Sequence, residues 1–240
     1  MPPRFADRAE AGRSLVPLLQ ARGFDRPLIY ALPPGGVPVA LPIAQALHAP
    51  LDLLLVRKLG VPWQPELGFG ALAEGTEEPL LNQDIITHTG LTEDMITPVL
   101  AAERPELARR STLYLKGRKR LDPKGCIVIL VDDGLATGIT ARAGLAALRK
   151  RGVAWLVLAV PIAAPESVAE LHGLADEVIT AETAPIRFGI GAFYQDFHQI
   201  SDAEMLGMMA SRPDHAARCG RTASTSRKRC KRARALSPSS

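Results

Sequence analysis

Residues 126–151, CIVILVDDGLATGITARAGLAALRKR, constrain the fold of this chain more than any other stretch. Ile127 to Val131 is a run of five apolar, mostly β-branched residues, the signature of a strand buried inside a parallel sheet. Ala143, Leu145, Ala146, Leu148 and Arg149 follow at helical spacing, and Gly152 ends the pattern. A strand and a helix joined by so short a loop make half of a βαβ unit. The expected class is therefore α/β, a central parallel sheet flanked by helices.

The loop between them carries chemistry. Asp132 and Asp133 fall at the carboxyl end of the strand, where open α/β sheets receive ligands. Gly134 and Gly138 let backbone approach a ligand closely. The first turn of the following helix offers unpaired amides and the positive end of a dipole, a seat for phosphate. Thr137 and Thr140 can donate hydroxyl hydrogen bonds to the same anion. Two carboxylates would repel a phosphate, so they suit a vicinal diol or a divalent cation instead. A phosphorylated sugar with Mg²⁺ meets all of these demands. Neither nucleotide fingerprint, GxxxxGK[ST] or GxGxxG, is present.

Bulk properties suit one domain over residues 1–211 with an appendage. The apolar fraction of 47% is ample for a core. The first twenty residues carry Arg4, Asp7, Arg8, Glu10 and Arg13 and no apolar run of signal-peptide type. No stretch approaches the roughly 20 apolar residues of a membrane span, so no membrane contact is expected. Cys126, Cys219 and Cys230 form neither a disulfide framework nor a metal spacing, and a reducing cytoplasm is the expected setting. The net charge of +4 misleads unless divided, because residues 212–240 hold nine Lys and Arg against one acid, Asp214. That tail is too poor in large apolar residues to fold and is expected to be a solvated appendage without a role in the chemistry, although its RKRCKRAR run suits nonspecific contact with nucleic acid or an acidic surface.

Along the chain, Phe5, Ala9, Gly12, Val16 and Leu19 recur at helical spacing, with Asp7, Arg8, Glu10 and Arg13 on the other faces. Pro17 is expected to kink or shorten that helix. Pro27 to Leu32 reads as a strand, followed by Pro33-Pro34-Gly35-Gly36 and a helix ending near Leu47. Leu51 to Val56 reads as the next strand, ending in Arg57 and Lys58. Residues 60–75, rich in Gly and Pro, read as a loop or mobile hairpin containing Trp63, Glu66, Phe69 and Glu74. Asn82 to Gly90 reads as a strand end and turn, and Thr92 to Tyr114 as a helix interrupted near Pro105. After the central helix come a strand at Ala154 to Val160 ended by Pro161, a short helix from Pro165 and a strand at Asp176 to Thr180. Residues 186–202 concentrate Phe188, Phe193, Tyr194 and Phe197.

The full string of four apolar residues, two acids, two variable residues, a small residue and Thr-Gly-x-Thr resembles the phosphoribosyl pyrophosphate (PRPP) signature of type I phosphoribosyltransferases. The nearest resemblance is to uncharacterised bacterial phosphoribosyltransferase-domain proteins, which read LPRGGVPV where this chain has Pro34 in place of Arg. The resemblance implies transfer of a 5-phosphoribosyl group from PRPP to a nitrogenous, nucleobase-like acceptor with release of pyrophosphate. It also implies a flexible loop, a small hood at about 186–202, and Mg²⁺; a homodimer is admitted without being required.

By that resemblance, Asp132 and Asp133 hold the ribose hydroxyls, directly or through Mg²⁺. Gly134, Leu135, Ala136, Thr137, Gly138, Ile139 and Thr140 seat the 5′-phosphate. Pro34, Gly35 and Gly36, with Arg57 and Lys58, stabilise the departing pyrophosphate. Phe188 aligns with the base-stacking position, Asp196 is a weaker candidate, and Glu66 or Glu74 stands in for the general base. Ala136 occupies the place of the acid found in hypoxanthine–guanine enzymes, which counts against a 6-oxopurine acceptor. Trp63 and Phe69 can cover the site or belong to the core. Two other readings stay open: a regulator that keeps the nucleotide site without transfer, and a phosphoribosyl or nucleotide hydrolase on the same scaffold.

Overall fold

A computed structural model of the chain describes residues 3–171 and 173–211. The basic segment 212–240, expected to be an unfolded appendage, lies outside the described residues. Five parallel strands form the central sheet in the order β2-β1-β6-β7-β8: β1 (Leu28–Ala31), β2 (Leu51–Leu53), β6 (Ile127–Val131), β7 (Trp155–Ala163) and β8 (Glu177–Thr183). β6 lies at the centre, with Val128 opposite Leu28 on one side and Leu156 on the other.

Alternation along β6 divides the core into two layers. Ile129 and Val131 join Leu15 and Leu19 of α1 (Arg8–Gln20), Val37 and Ile43 of α2 (Gly36–Ala46) and Met205 of α7 (Asp202–Ala210). Val128 and Leu130 pack with Leu145 and Leu148 of α5 (Ile139–Lys150) on the other face. Each such buried side chain contributes roughly 1.5–3 kcal/mol relative to exposure. The connection after β1 therefore leaves toward one face and the connection after β6 toward the other. The crevice between their carboxyl ends is the topological switch point of the sheet.

A second, antiparallel sheet consists of β3 (Val56–Val61), β4 (Gln64–Ala73) and β5 (Leu80–Leu81). Its small residues Ala71 and Ala73 pack on Ile139, Ala143 and Ala147 of α5. Phe69, buried with Leu59, Val61 and Leu91, forms the core of this unit, whereas Trp63 stays exposed away from the crevice. Of the two forms expected for residues 60–75, the hairpin is the one adopted.

Several local expectations are corrected. The apolar run 51–56 splits into β2 and the start of β3, so Arg57 and Lys58 stand inside a strand of the second sheet and not beyond an end of the first. Asn82 to Gly90 is a helix, α3 (Gln83–Thr89), because the Asn82 side chain accepts from the amides of Asp84 and Ile85 and Gly90 closes it with a left-handed φ of 68°. α4 (Glu93–Leu115) runs through both Pro98 and Pro105, each ring removing one hydrogen bond of a helix braced by ion pairs to its neighbours. Pro17 likewise lies within α1. β7 continues through Pro161, which the paired register with β8 passes over. α6 (Pro165–Glu170) follows it as expected. The buried stripe of α1 is Arg8, Ala11, Gly12, Leu15 and Leu19, which keeps Gly12 and Leu19 of the expected stripe but buries Arg8 and Leu15 in place of Ala9 and Val16.

Cys126 is buried just before β6, and the other cysteines lie outside the described residues. Among the described residues, no helix is long and apolar enough to cross a membrane.

Candidate functional site

At the carboxyl end of β6 the chain opens into a cavity of about 710 Å³ whose wall runs without a break from Asp132 to Ala141. Gly138 precedes α5 with φ 71°, a conformation that glycine adopts without a Cβ penalty, and no side chain caps the helix. The first bond within the helix is donated by the Arg142 amide to the Gly138 carbonyl, at 2.8 Å. The amides of Ile139, Thr140 and Ala141 precede it, on residues that line the cavity, together with the positive end of the helix dipole. Thr137 is exposed and Thr140 half-buried beside them, both on the same wall. Such an arrangement suits an anion, and every residue of the 134–140 loop lines the cavity.

The acid pair adjoins the seat. Asp132 and Asp133 are half-buried and line the same cavity. The Asp133 amide donates to Asp132 Oδ1 at 2.9 Å. Burial, and then the neighbouring Asp133 charge, push the Asp132 carboxyl well above the usual carboxylate range. Burial lifts Asp133 as well, against the opposing charge of Arg8.

Arg8 was not anticipated. Its Nε donates to Asp133 Oδ2 at 2.9 Å and its Nη1 donates to the His198 carbonyl at 3.0 Å. Its guanidinium lies 3.7 Å over the Phe197 ring centroid. The Tyr194 hydroxyl donates to the Asp133 carbonyl at 2.6 Å. Sequence reasoning placed Arg8 on a solvent-facing side of α1. Its spacing of three and seven residues from Ala11 and Leu15 was the signal that it shares the buried face.

The other candidates divide. Pro34, Gly35 and Gly36 follow β1, with a cis peptide joining Pro33 and Pro34, and Gly35 abuts the Asp133 carboxylate. Lys58 lines the cavity and donates to Glu66 Oε2 at 3.1 Å, so Lys58 and Glu66 reach the rim together from β3 and β4. Arg57 does not join them: adjacent residues of a strand face opposite ways, and its Nε donates to Glu103 of α4 at 2.6 Å. Glu74 is also elsewhere, accepting from Arg120 Nη1 at 2.6 Å in a network that includes Asp52. Phe188 is 90% exposed at the cavity mouth, beside Gly189 and Ile190. Asp196 is exposed and bonded to His198. Phe193 and Tyr194 belong to a core cluster with Phe5.

A divalent cation fits the acid pair, since both members face the cavity and the charge of Asp133 helps to lift the Asp132 carboxyl. No group of three or more metal-ligating side chains occurs among the described residues.

The sequence profile of the phosphoribosyl transferase domain matches residues 13–195. Two Mycobacterium tuberculosis proteins, from strains CDC 1551 and H37Rv and provisionally named phosphoribosyl transferases, are each 42% identical over 205 residues. The match covers 85% of this chain and 46% of theirs, so the chain spans about half the length of these relatives. A Thermus thermophilus protein of known crystal structure superposes with a TM-score of 0.67 at 36% identity, covering 86% of this chain and 97% of that one.

Proposed function

The chain belongs to the phosphoribosyl transferase family, with the type I fold, and on that premise we propose that it moves a 5-phosphoribosyl group from PRPP to a nitrogen of a nucleobase-like acceptor, releasing pyrophosphate. The observation that carries the proposal is the continuous wall from Asp132 to Ala141, which sets a diol-binding acid pair against an anion seat in one cavity.

In this reading the amides of Ile139, Thr140 and Ala141, with the hydroxyls of Thr137 and Thr140, hold the 5′-phosphate. Asp132 and Asp133 accept hydrogen bonds from the ribose hydroxyls and fix the sugar ring for in-line attack. When bound, Mg²⁺ offsets charge on the leaving pyrophosphate and on the acid pair. Lys58 counters the same charge from the rim, and the backbone of Pro34 to Gly36 lies across the crevice beside Asp133. Glu66, exposed at the rim on β4, accepts the proton of the acceptor nitrogen, and Phe188 offers a ring for the base to stack on. The β3–β4 hairpin and the 186–202 segment flank the cavity and exclude water from a cationic sugar.

One observation favours a second reading. Lys58 is the one Lys or Arg among the described residues lining the cavity, since position 34 is Pro and Arg57 pairs with Glu103. A regulator that binds PRPP without transfer, with residues 212–240 touching nucleic acid, needs no more cations than that.

Pyrophosphate release from PRPP and Mg²⁺, measured against a panel of nucleobases, separates the two. Transfer requires release that depends on one acceptor and collapses in Asp132→Asn with Asp133→Asn. PRPP binding without release against any base, together with salt-sensitive nucleic-acid binding lost on deleting 212–240, selects the regulator.

A further inference from the structure

Arg8 has no part in the transfer reading, yet two of its three contacts line the cavity. Its side chain sits in the first turn of α1 with the residue only 8% exposed. One edge of the guanidinium donates to the Asp133 carboxylate, another to the His198 carbonyl, and its face stacks on Phe197. Asp133 and Phe197 both line the cavity: the first beside the anion seat, the second in the segment that carries Phe188.

Fold stability alone explains this arrangement poorly. Burying an ion pair is weak evidence for stability, because desolvation offsets most of the attraction. A long apolar side chain would pack on Phe197 as well. The planar fork of arginine is what lets one side chain engage a carboxylate, a carbonyl and a ring at once, and a lysine ammonium lacks that geometry. Asp133 is moreover held from several sides. Arg8 takes Oδ2, the Tyr194 hydroxyl takes the backbone carbonyl, and Gly35 stands against the carboxylate. The carboxylate also lines the cavity, where a substrate hydroxyl can meet it.

We propose that Arg8 is a positioning residue that ties the orientation of Asp133 to the placement of segment 186–198, so that the sugar grip and the acceptor wall are set together. The proposal rests on the phosphoribosyl-transfer reading of the cavity. Binding of the sugar half alone should therefore order the acceptor half before any acceptor arrives.

The test uses the full chain with PRPP and Mg²⁺ as the probe, and compares wild type with Arg8→Met, Arg8→Lys and Phe197→Leu. Affinity is read by calorimetry, and amide hydrogen exchange of residues 186–198 is followed with and without PRPP. In wild type, PRPP should slow exchange across 186–198. Arg8→Met should weaken PRPP binding by about tenfold or more and abolish that protection. Arg8→Lys, whose ammonium can reach Asp133 without spanning to His198 and Phe197, should bind PRPP within about threefold of wild type and still lose the protection. Phe197→Leu should behave like Arg8→Lys. A residue that serves only to hold the fold would shift the melting temperature without separating affinity from protection. Protection that persists in Arg8→Lys, or wild-type affinity in a folded Arg8→Met, overturns the proposal while leaving the transfer reading intact. Should Arg8→Met fail to fold, Arg8→Lys and Phe197→Leu decide the matter by the same measure. Failure of wild type to bind PRPP overturns the transfer reading, and this proposal with it.

Discussion

Gly35 and Asp133 come from different crossover loops and touch across the switch point of the sheet: a Cβ on Gly35 would stand 2.1 Å from Asp133 Oδ2. No side chain fits between them, because β1 and β6 are hydrogen-bonded neighbours with Ala31 opposite Val131. Gly35→Ala should therefore push the carboxylate off its position. Overpacking of this kind destabilises by about 1–3 kcal/mol. A shift of about 1 Å at a reacting group can lower turnover on the order of a hundredfold. Chemical denaturation and pyrophosphate release, measured on one preparation, check both. Wild-type turnover in the variant would mean that Asp133 does not need its present orientation.

Asp52 is 1% exposed, and Arg120 Nε donates to it at 2.9 Å while Nη1 reaches Glu74. The network ties the end of β4 to β2 and to the connector before β6. Arg120→Met leaves a buried carboxylate without its cation, and loss of about 3–5 kcal/mol in unfolding free energy is expected. Urea unfolding measures it. A loss below about 1 kcal/mol would show that the amides of Leu53 and Leu121 satisfy Asp52 by themselves.

The two loop acids should separate cleanly. Glu66 faces the cavity with Lys58, so Glu66→Gln should lower kcat by about 10²–10⁴-fold if it takes the acceptor proton. Glu74→Gln should leave kcat within a few-fold and weaken the Arg120 network by about 1–3 kcal/mol. Steady-state rates and denaturation curves for the pair distinguish the roles. The reverse pattern would move the base to Glu74.

Acid should loosen α4 from α7. Hydrogen bonds from Arg109 and then Arg110 hold the Glu106 carboxyl down to about 2, and the Tyr114 hydroxyl does most to lower that of Asp202. Both groups have a lower pKa folded than unfolded. The stabilising contribution of each is thus complete above the ordinary carboxylate range and is lost as pH falls below it, for Glu106 through about 2. Hydrogen exchange of residues 202–210 should speed up in that window. Asp202→Asn should flatten its share of the response, and an unchanged acid response in that variant would exclude the α4–α7 contact as its source.

The centre of this protein was legible without coordinates because it is local. A strand, two acids, a threonine-glycine turn and a helix start occupy consecutive positions, so short-range geometry alone puts Asp132 to Thr140 on one wall. Five buried residues in β6 likewise announced a sheet covered on both faces. What depended on distant partners was not legible. Arg57 and Lys58 look equivalent in the sequence, yet strand alternation in a second sheet sends one to Glu103 and the other to the cavity. Glu66 and Glu74 look equivalent too, until the register of β3 against β4 and the reach of Arg120 separate them. Arg8, 125 residues before Asp133, reads as one more surface charge on an amphipathic helix. Residue order alone determined the fold class and the wall from Asp132 to Thr140, since both follow from contiguous propensity and periodicity. Only the tertiary structure decided which charges meet there, because Coulomb pairing and burial depend on distances that the chain sets after it folds.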